Sequence, residues 1–173
     1  MDRPTTPDSH TPLASFTCPR YQDLPDMGLY LEQALGVVNG ALEPILGDPI
    51  TSPMMNNYIK HGVVPPAVKK RYYRDHLAYL MVMAVLKPVF TVDEVARFYQ
   101  IQRSTYPVGV AYDFMVREFE NALHEAFDFS GAALPCIETR RTEQTVLVRS
   151  MVLAAANHAF VEHYLELGEV PQP

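Results

Sequence analysis

Apolar residues recur at helical spacing along most of the chain, and strand-like alternation is confined to one short stretch. After Pro25, "DMGLYLEQALGVVNGALEPIL" places Leu31, Ala34, Leu35, Val38 and Leu42 on one stripe, with Pro44 near its end. Gly36 and Gly40 weaken that helix, and a break is expected there. "TSPMMNNYIKHG" carries the punctuation of a short helix: Ser52 as cap, Pro53 at the first helical position and Gly62 as a left-handed stop. Met55, Tyr58 and Ile59 fall at i, i+3 and i+4 and predict its buried face. Asn56, Asn57, Lys60 and His61 then point outward. "AVKKRYY" is too short and too charged for a core helix and predicts a small hairpin or extended wing.

"RDHLAYLMVMAVLK" reads as a strongly apolar helix ended near Pro88, and "TVDE" at Thr91 to Glu94 as a capping box opening a helix to Gln102. Ala111, Phe114, Met115, Phe119, Ala122, Leu123 and Phe127 trace an amphipathic helix from Val108 to Phe127. "FSGAALPC" breaks it. A last helix is predicted from Thr142 to Leu167, with Val146, Met151, Ala155, Phe160 and Leu165 among its apolar positions. Met1 to Arg20, rich in Pro, Thr and Ser and without periodicity, is expected to be a disordered tail. The fold class expected is all-α with a minimal β-wing: a tail over 1–20, a first unit over 21–104 and a C-terminal helical region over 105–173.

Charge changes this picture most. Between Pro49 and Val92 lie Lys60, Lys69, Lys70, Arg71, Arg74 and Lys87 against the single acid Asp75, a net +5 in a chain of −6. A basic island in an acidic body is the footprint of an anionic partner; its competitor is an ordinary solvated loop. Asparagine is a poor helix interior residue unless its amide has another partner. A side-chain amide can pair bidentately with adenine N6 and N7, discriminating by about 1–3 kcal/mol. Asn56 and Asn57 could therefore face base edges of double-stranded DNA, flanked by Lys60 and His61. Lys69, Lys70, Arg71, Tyr73 and Arg74 would contact the backbone and set register without reading sequence. In the competing reading the asparagines cap neighbouring loops and the basic residues are merely solvated.

Other chemistry is thin. Cys18 and Cys136 lie far apart and read as free thiols of a reducing compartment. His158 and Glu162 share a helix face but His163 is offset, an incomplete metal set, and His124 with Glu120 reads as a surface pair. No Gly-rich phosphate loop, Ser-His-Asp grouping or paired-carboxylate motif stands out, so neither a reaction nor a cofactor is implied. The longest apolar run, "LAYLMVMAVL", falls short of the roughly 18 residues of a membrane span, and no leader pattern opens the chain. A cytoplasmic protein is expected.

The order of these pieces resembles the winged helix-turn-helix of the MerR-type regulators. Tyr58, Gly62, Val63, Val64, Pro65 and Pro66 stand where that family has a "YY…GLLPP"-like sequence. Tyr72, Tyr73, Arg74, Asp75, His76 and Leu77 stand at its post-wing helix start, continued by Leu80 and Leu86. Phe90, Thr91, Val92, Glu94 and Val95 match its "F-S-L-x-E-I" element. Departures are Asn56 and Asn57 for an arginine-tyrosine pair, Tyr73 for a capping Ser or Thr, and a missing glycine before Phe90. "LYLEQAL", "MMNNYIKHGVVPP" and "KKRYYRDHLAYL" resemble, more closely still, an uncharacterised bacterial family known as domain of unknown function 1836, over Leu24 to Tyr99. The MerR resemblance implies a sequence-specific DNA-binding transcriptional regulator, a homodimer joined through its C-terminal helices. Without a cysteine cluster it implies no thiolate metal sensing. Tyr, Met and Phe of the C-terminal helices would form core or line a small-molecule effector pocket. The rival reading is a protein-interaction module that kept the helix-turn-helix scaffold and lost DNA binding.

Overall fold

A computed structural model describes residues 13–128 and 140–166. Among these residues the fold is all-helical. It comprises α1 (Leu31–Leu42), α2 (Ser52–Lys60), α3 (Arg74–Leu86), α4 (Val92–Arg103), α5 (Val108–Phe127) and α6 (Glu143–Glu166), preceded by a single 3-10 turn at Tyr21–Asp23. No helix of the described residues is long and apolar enough to cross a membrane.

The centre is α3. Every residue from His76 to Leu86 is buried, which is the behaviour of a helix that is apolar all round and has neighbours on every side. It packs against α1, α4, α5 and α6. Leu77, Leu80, Met81, Met83 and Leu86 are almost wholly excluded from solvent. One hydrophobic cluster runs from Leu13 to Ala156. The Thr91 capping box opens α4: Glu94 N–H donates to Thr91 Oγ1 at 3.3 Å, and Thr91 N–H donates to Glu94 Oε2 at 2.8 Å.

α5 and α6 lie side by side and run parallel. Arg149 meets Glu118 at 3.1 Å near the middle, and the Phe127 and Phe160 rings meet edge-on at 5.2 Å near the C-terminal ends. The apolar stripe of α5 is thereby covered within the chain. On α6, Met151 and Ala155 are buried and Phe160 half-buried, while Val146 and Leu165 are exposed. Cys136 lies outside the described residues.

Three expectations are corrected. α1 runs unbroken through Gly36 and Gly40, because tertiary packing of Ala34, Leu35, Val38 and Leu42 outweighs the glycine penalty. Thr51, not Ser52, holds the cap position of α2; Ser52 Oγ instead donates to Glu32 Oε1 at 2.8 Å. The tail expected over 1–20 lies outside the described residues only up to residue 12. From Leu13 the chain is packed: Phe16 sits edge-on to Phe119, and Cys18 is buried. Arg20 forks onto both oxygens of Glu120 at 2.9 and 2.7 Å, and the Cys18 N–H donates to the same carboxylate at 2.7 Å. Glu120 is therefore an anchor for this segment and not the surface partner expected for His124.

Candidate nucleic-acid interface

α2 is fixed from both ends. Before it, the Asn39 amide of α1 clasps the backbone of Ile50, donating to its carbonyl at 2.9 Å and accepting its N–H at 2.8 Å. After it, Gly62 takes φ +73°, the left-handed stop that its lack of a Cβ allows. The N–H groups of Val63 and Val64 turn back onto the Tyr58 carbonyl. Arg103, at the end of α4, donates to the carbonyls of Gly62 at 3.4 Å and Val63 at 3.0 Å while lying over the Tyr79 ring at 4.3 Å. Nothing in the sequence patterns marked Arg103 as the brace of this turn.

Met55 and Tyr58 are buried, and Ile59 is half-buried against the core. Asn56, Asn57 and Lys60 are exposed on the opposite face. Their side chains make no hydrogen bond or ion pair among the described residues, so these amides cap no neighbouring loop. His61 is exposed too, but its Nδ1 lies 2.7 Å from Asp93 Oδ1.

The stretch after α2 is the smallest hairpin a chain can make. Val68 and Arg71 exchange both backbone hydrogen bonds at 2.9 Å. The two residues between them, Lys69 and Lys70, have φ of 49° and 63°. Positive φ at both central residues defines the tight hairpin turn usually filled by Asn-Gly, and a side chain there is strained. Both lysines are exposed and unpaired among the described residues. The returning arm continues to Tyr72, which pairs with Leu29 through two 2.8 Å bonds and ties the hairpin to the start of α1.

Of the remaining predicted contacts, Arg71 and Arg74 turn inward. Arg71 stacks on the Tyr30 ring at 3.5 Å and donates to its hydroxyl at 2.8 Å and to the Gly28 carbonyl at 3.3 Å. A Cβ on Gly28 would lie 3.0 Å from the Arg71 Cβ and 3.1 Å from the Tyr73 ring, so a side chain there would push these neighbours by a few tenths of an ångström. Arg74 donates to the Leu24 carbonyl at 2.9 Å and lies 3.8 Å from Asp26, holding the N-terminal segment. Tyr73 is the N-cap residue of α3 and remains exposed. Of nine predicted positions, His61, Arg71 and Arg74 thus have intramolecular ionic or hydrogen-bonded partners. On α6, His158 pairs with Glu162 at 3.4 Å and His163 packs on Phe127.

Residues 19–114, more than half of the chain, match the family model of a domain of unknown function, DUF1836. The chain belongs to this family. The DUF1836 span takes in α1 to α4, the lysine hairpin and the start of α5, and leaves α6 outside. Both asparagines, Arg103 and the Asn39 clasp fall within it. No curated protein and no solved structure matches the chain.

Proposed function

We propose that this DUF1836 protein is a sequence-specific DNA-binding transcriptional regulator built on a MerR-like winged helix-turn-helix. In this reading α1 and α2 form the helix-turn-helix, and the Val68–Arg71 hairpin is the wing. The observation that carries it is the outer face of α2, where Asn56, Asn57 and Lys60 stand exposed with no side-chain partner among the described residues. Two amides beside a cation suit the adenine edge in the major groove, with Lys60 on phosphate. Lys69 and Lys70, held at strained positive φ at the tip of a wing, bring two charges to the flanking backbone. Arg71 and Arg74 act indirectly, by fixing the wing and the start of α3.

A single such module makes few contacts, so the reading includes a homodimer on a two-fold symmetric site. Val146, Leu153, Val161 and Tyr164 share an exposed stripe of α6 that a second copy would cover. A second reading, a protein-interaction module without DNA binding, is favoured by one observation. Among the described residues, the inward engagement of Arg71 and Arg74 leaves Lys60, Lys69 and Lys70 as the unpaired cations of the α2–wing surface, in a chain of net charge −6. Selection from a random double-stranded DNA library with the full chain separates the two: a regulator enriches a motif, and an interaction module enriches none.

A further inference from the structure

A pocket of about 310 Å³ opens where the end of α4, the start of α5 and the start of α6 meet. Its floor is apolar, made by Val110, Ala111, Phe114 and Val148; Tyr106, Thr142, Gln144 and Arg140 supply polar groups around it. The volume lies at the lower end of the range for small-molecule sites, and the mix of apolar floor and few polar groups is their usual chemistry. Among the described residues lining it, Arg140 is the only charged one, in a chain of net charge −6.

Gln102 lines the same pocket and is 7% exposed, yet its Nε2 is buried without a hydrogen-bond partner. Turning the amide round does not help, since an orphaned acceptor replaces an orphaned donor. On its other side Gln102 borders a void of about 30 Å³, room for one water. Such a water would serve the amide oxygen in the orientation that turns the NH2 group, the end a carboxylate needs, toward the pocket. A buried amide without a partner among the described residues, sharing a lining with the Arg140 guanidinium and an apolar floor, is a ligand-recognition arrangement.

We infer that this pocket binds a small organic acid, its carboxylate held by Arg140 and the Gln102 amide and its apolar body against Phe114 and Val148. The next residue, Arg103, grips the turn that ends α2. An occupant that shifts the end of α4 would therefore be felt at the proposed reading helix. That consequence rests on the DNA-binding reading; the binding itself does not.

The test uses the full chain without DNA, methyl-labelled at Val, Ala and Leu, titrated with benzoate, phenylacetate and indole-3-acetate and with the matching carboxamides. At least one acid should shift the Val110, Ala111 and Val148 methyl resonances saturably, and its carboxamide should bind about tenfold more weakly or worse. Gln102→Leu removes an unsatisfied amide from the interior, so it should fold with an undiminished melting temperature while losing about tenfold in affinity for that acid. Arg140→Gln should lose at least as much. The inference is overturned if no acid binds, if acid and carboxamide bind alike, or if folded Gln102→Leu binds as tightly as the parent.

Discussion

His76 takes the part of the third-position side chain of a capping box at the start of α3: its Nδ1 accepts the Tyr73 backbone N–H at 3.0 Å. The opposite nitrogen, Nε2, lies 3.1 Å from the Pro66 carbonyl, so the ring is the Nε2–H tautomer, accepting at one end and donating at the other. One buried imidazole thereby joins the segment before the wing to the first residue after it. His76→Phe keeps the ring volume and its edge contact with Tyr72 but strands both backbone groups. It should cost about 1–3 kcal/mol in urea unfolding with the slope unchanged. A loss below about 0.5 kcal/mol would show that solvent satisfies those groups equally well.

Gly36 and Gly40 lie on the exposed side of α1, and a Cβ at either meets nothing within 4 Å. Gly36→Ala and Gly40→Ala should each raise stability by about 0.5–1 kcal/mol and add when combined. Denaturant midpoints of the single and double variants measure this directly. A decrease would mean that the helix uses its glycines for bending.

Alkaline pH should destabilise the fold. Burial pushes the Cys18 thiol up to about 12 from 9.0, helped by Glu120. Burial and the Asp75 carboxylate push the Tyr21 phenol up to about 12 from 10.0, and burial raises Tyr99 and Tyr112 as well. These groups lose protons more readily in the unfolded chain. The stability they represent is complete below the unfolded values and falls as pH rises from 9 towards 12. Unfolding free energy measured across that interval should decline steadily, and the Cys18 thiol should resist alkylation until the chain opens. A flat profile would contradict the burial of these groups.

On the proposed reading, the tip of the Val68–Arg71 hairpin trades stability against DNA binding. Replacing Lys69-Lys70 by Asn-Gly gives the turn the residues its backbone prefers and should stabilise the chain by about 1–2 kcal/mol. The same change should weaken DNA binding on every sequence and flatten the salt dependence by about 0.9 per lost phosphate contact. Greater stability with unchanged DNA affinity would remove the wing from the interface.

Periodicity carried most of the helical layout, because the stripes of α1, α2 and α5 are one-sided and 3.6-periodic. The buried and exposed faces of α2 followed from Met55, Tyr58 and the two asparagines in that way. α3 was legible for the opposite reason, an unbroken apolar run too short for a membrane. What escaped was long-range pairing. Glu120 is a hundred residues from the Arg20 it holds, and Arg103 forty from the Val63 carbonyl it braces; no local pattern encodes either. Charge counting overstated the basic surface for the same reason. Arg71 and Arg74 contribute to the +5 of the island, yet one is stacked on Tyr30 and the other tethers Leu24 and Asp26. The packed segment from Leu13 to Arg20 was missed because composition speaks for a whole stretch, whereas it is docked by a few particular contacts: buried Leu13, Phe16 and Cys18 and the Arg20–Glu120 pair.

Reading and positioning are separable in one competition experiment. A DNA site enriched by the full chain is challenged with random-sequence DNA at physiological salt, for the parent, Asn56→Ala, Asn57→Ala and a Lys69/Lys70 double alanine variant. The account predicts that the asparagine variants lose about 1–3 kcal/mol on the enriched site and little on random DNA, whereas the lysine variant loses equally on both. Uniform loss across all variants, or parent binding that vanishes on every sequence at that salt, would contradict α2 as a reading helix.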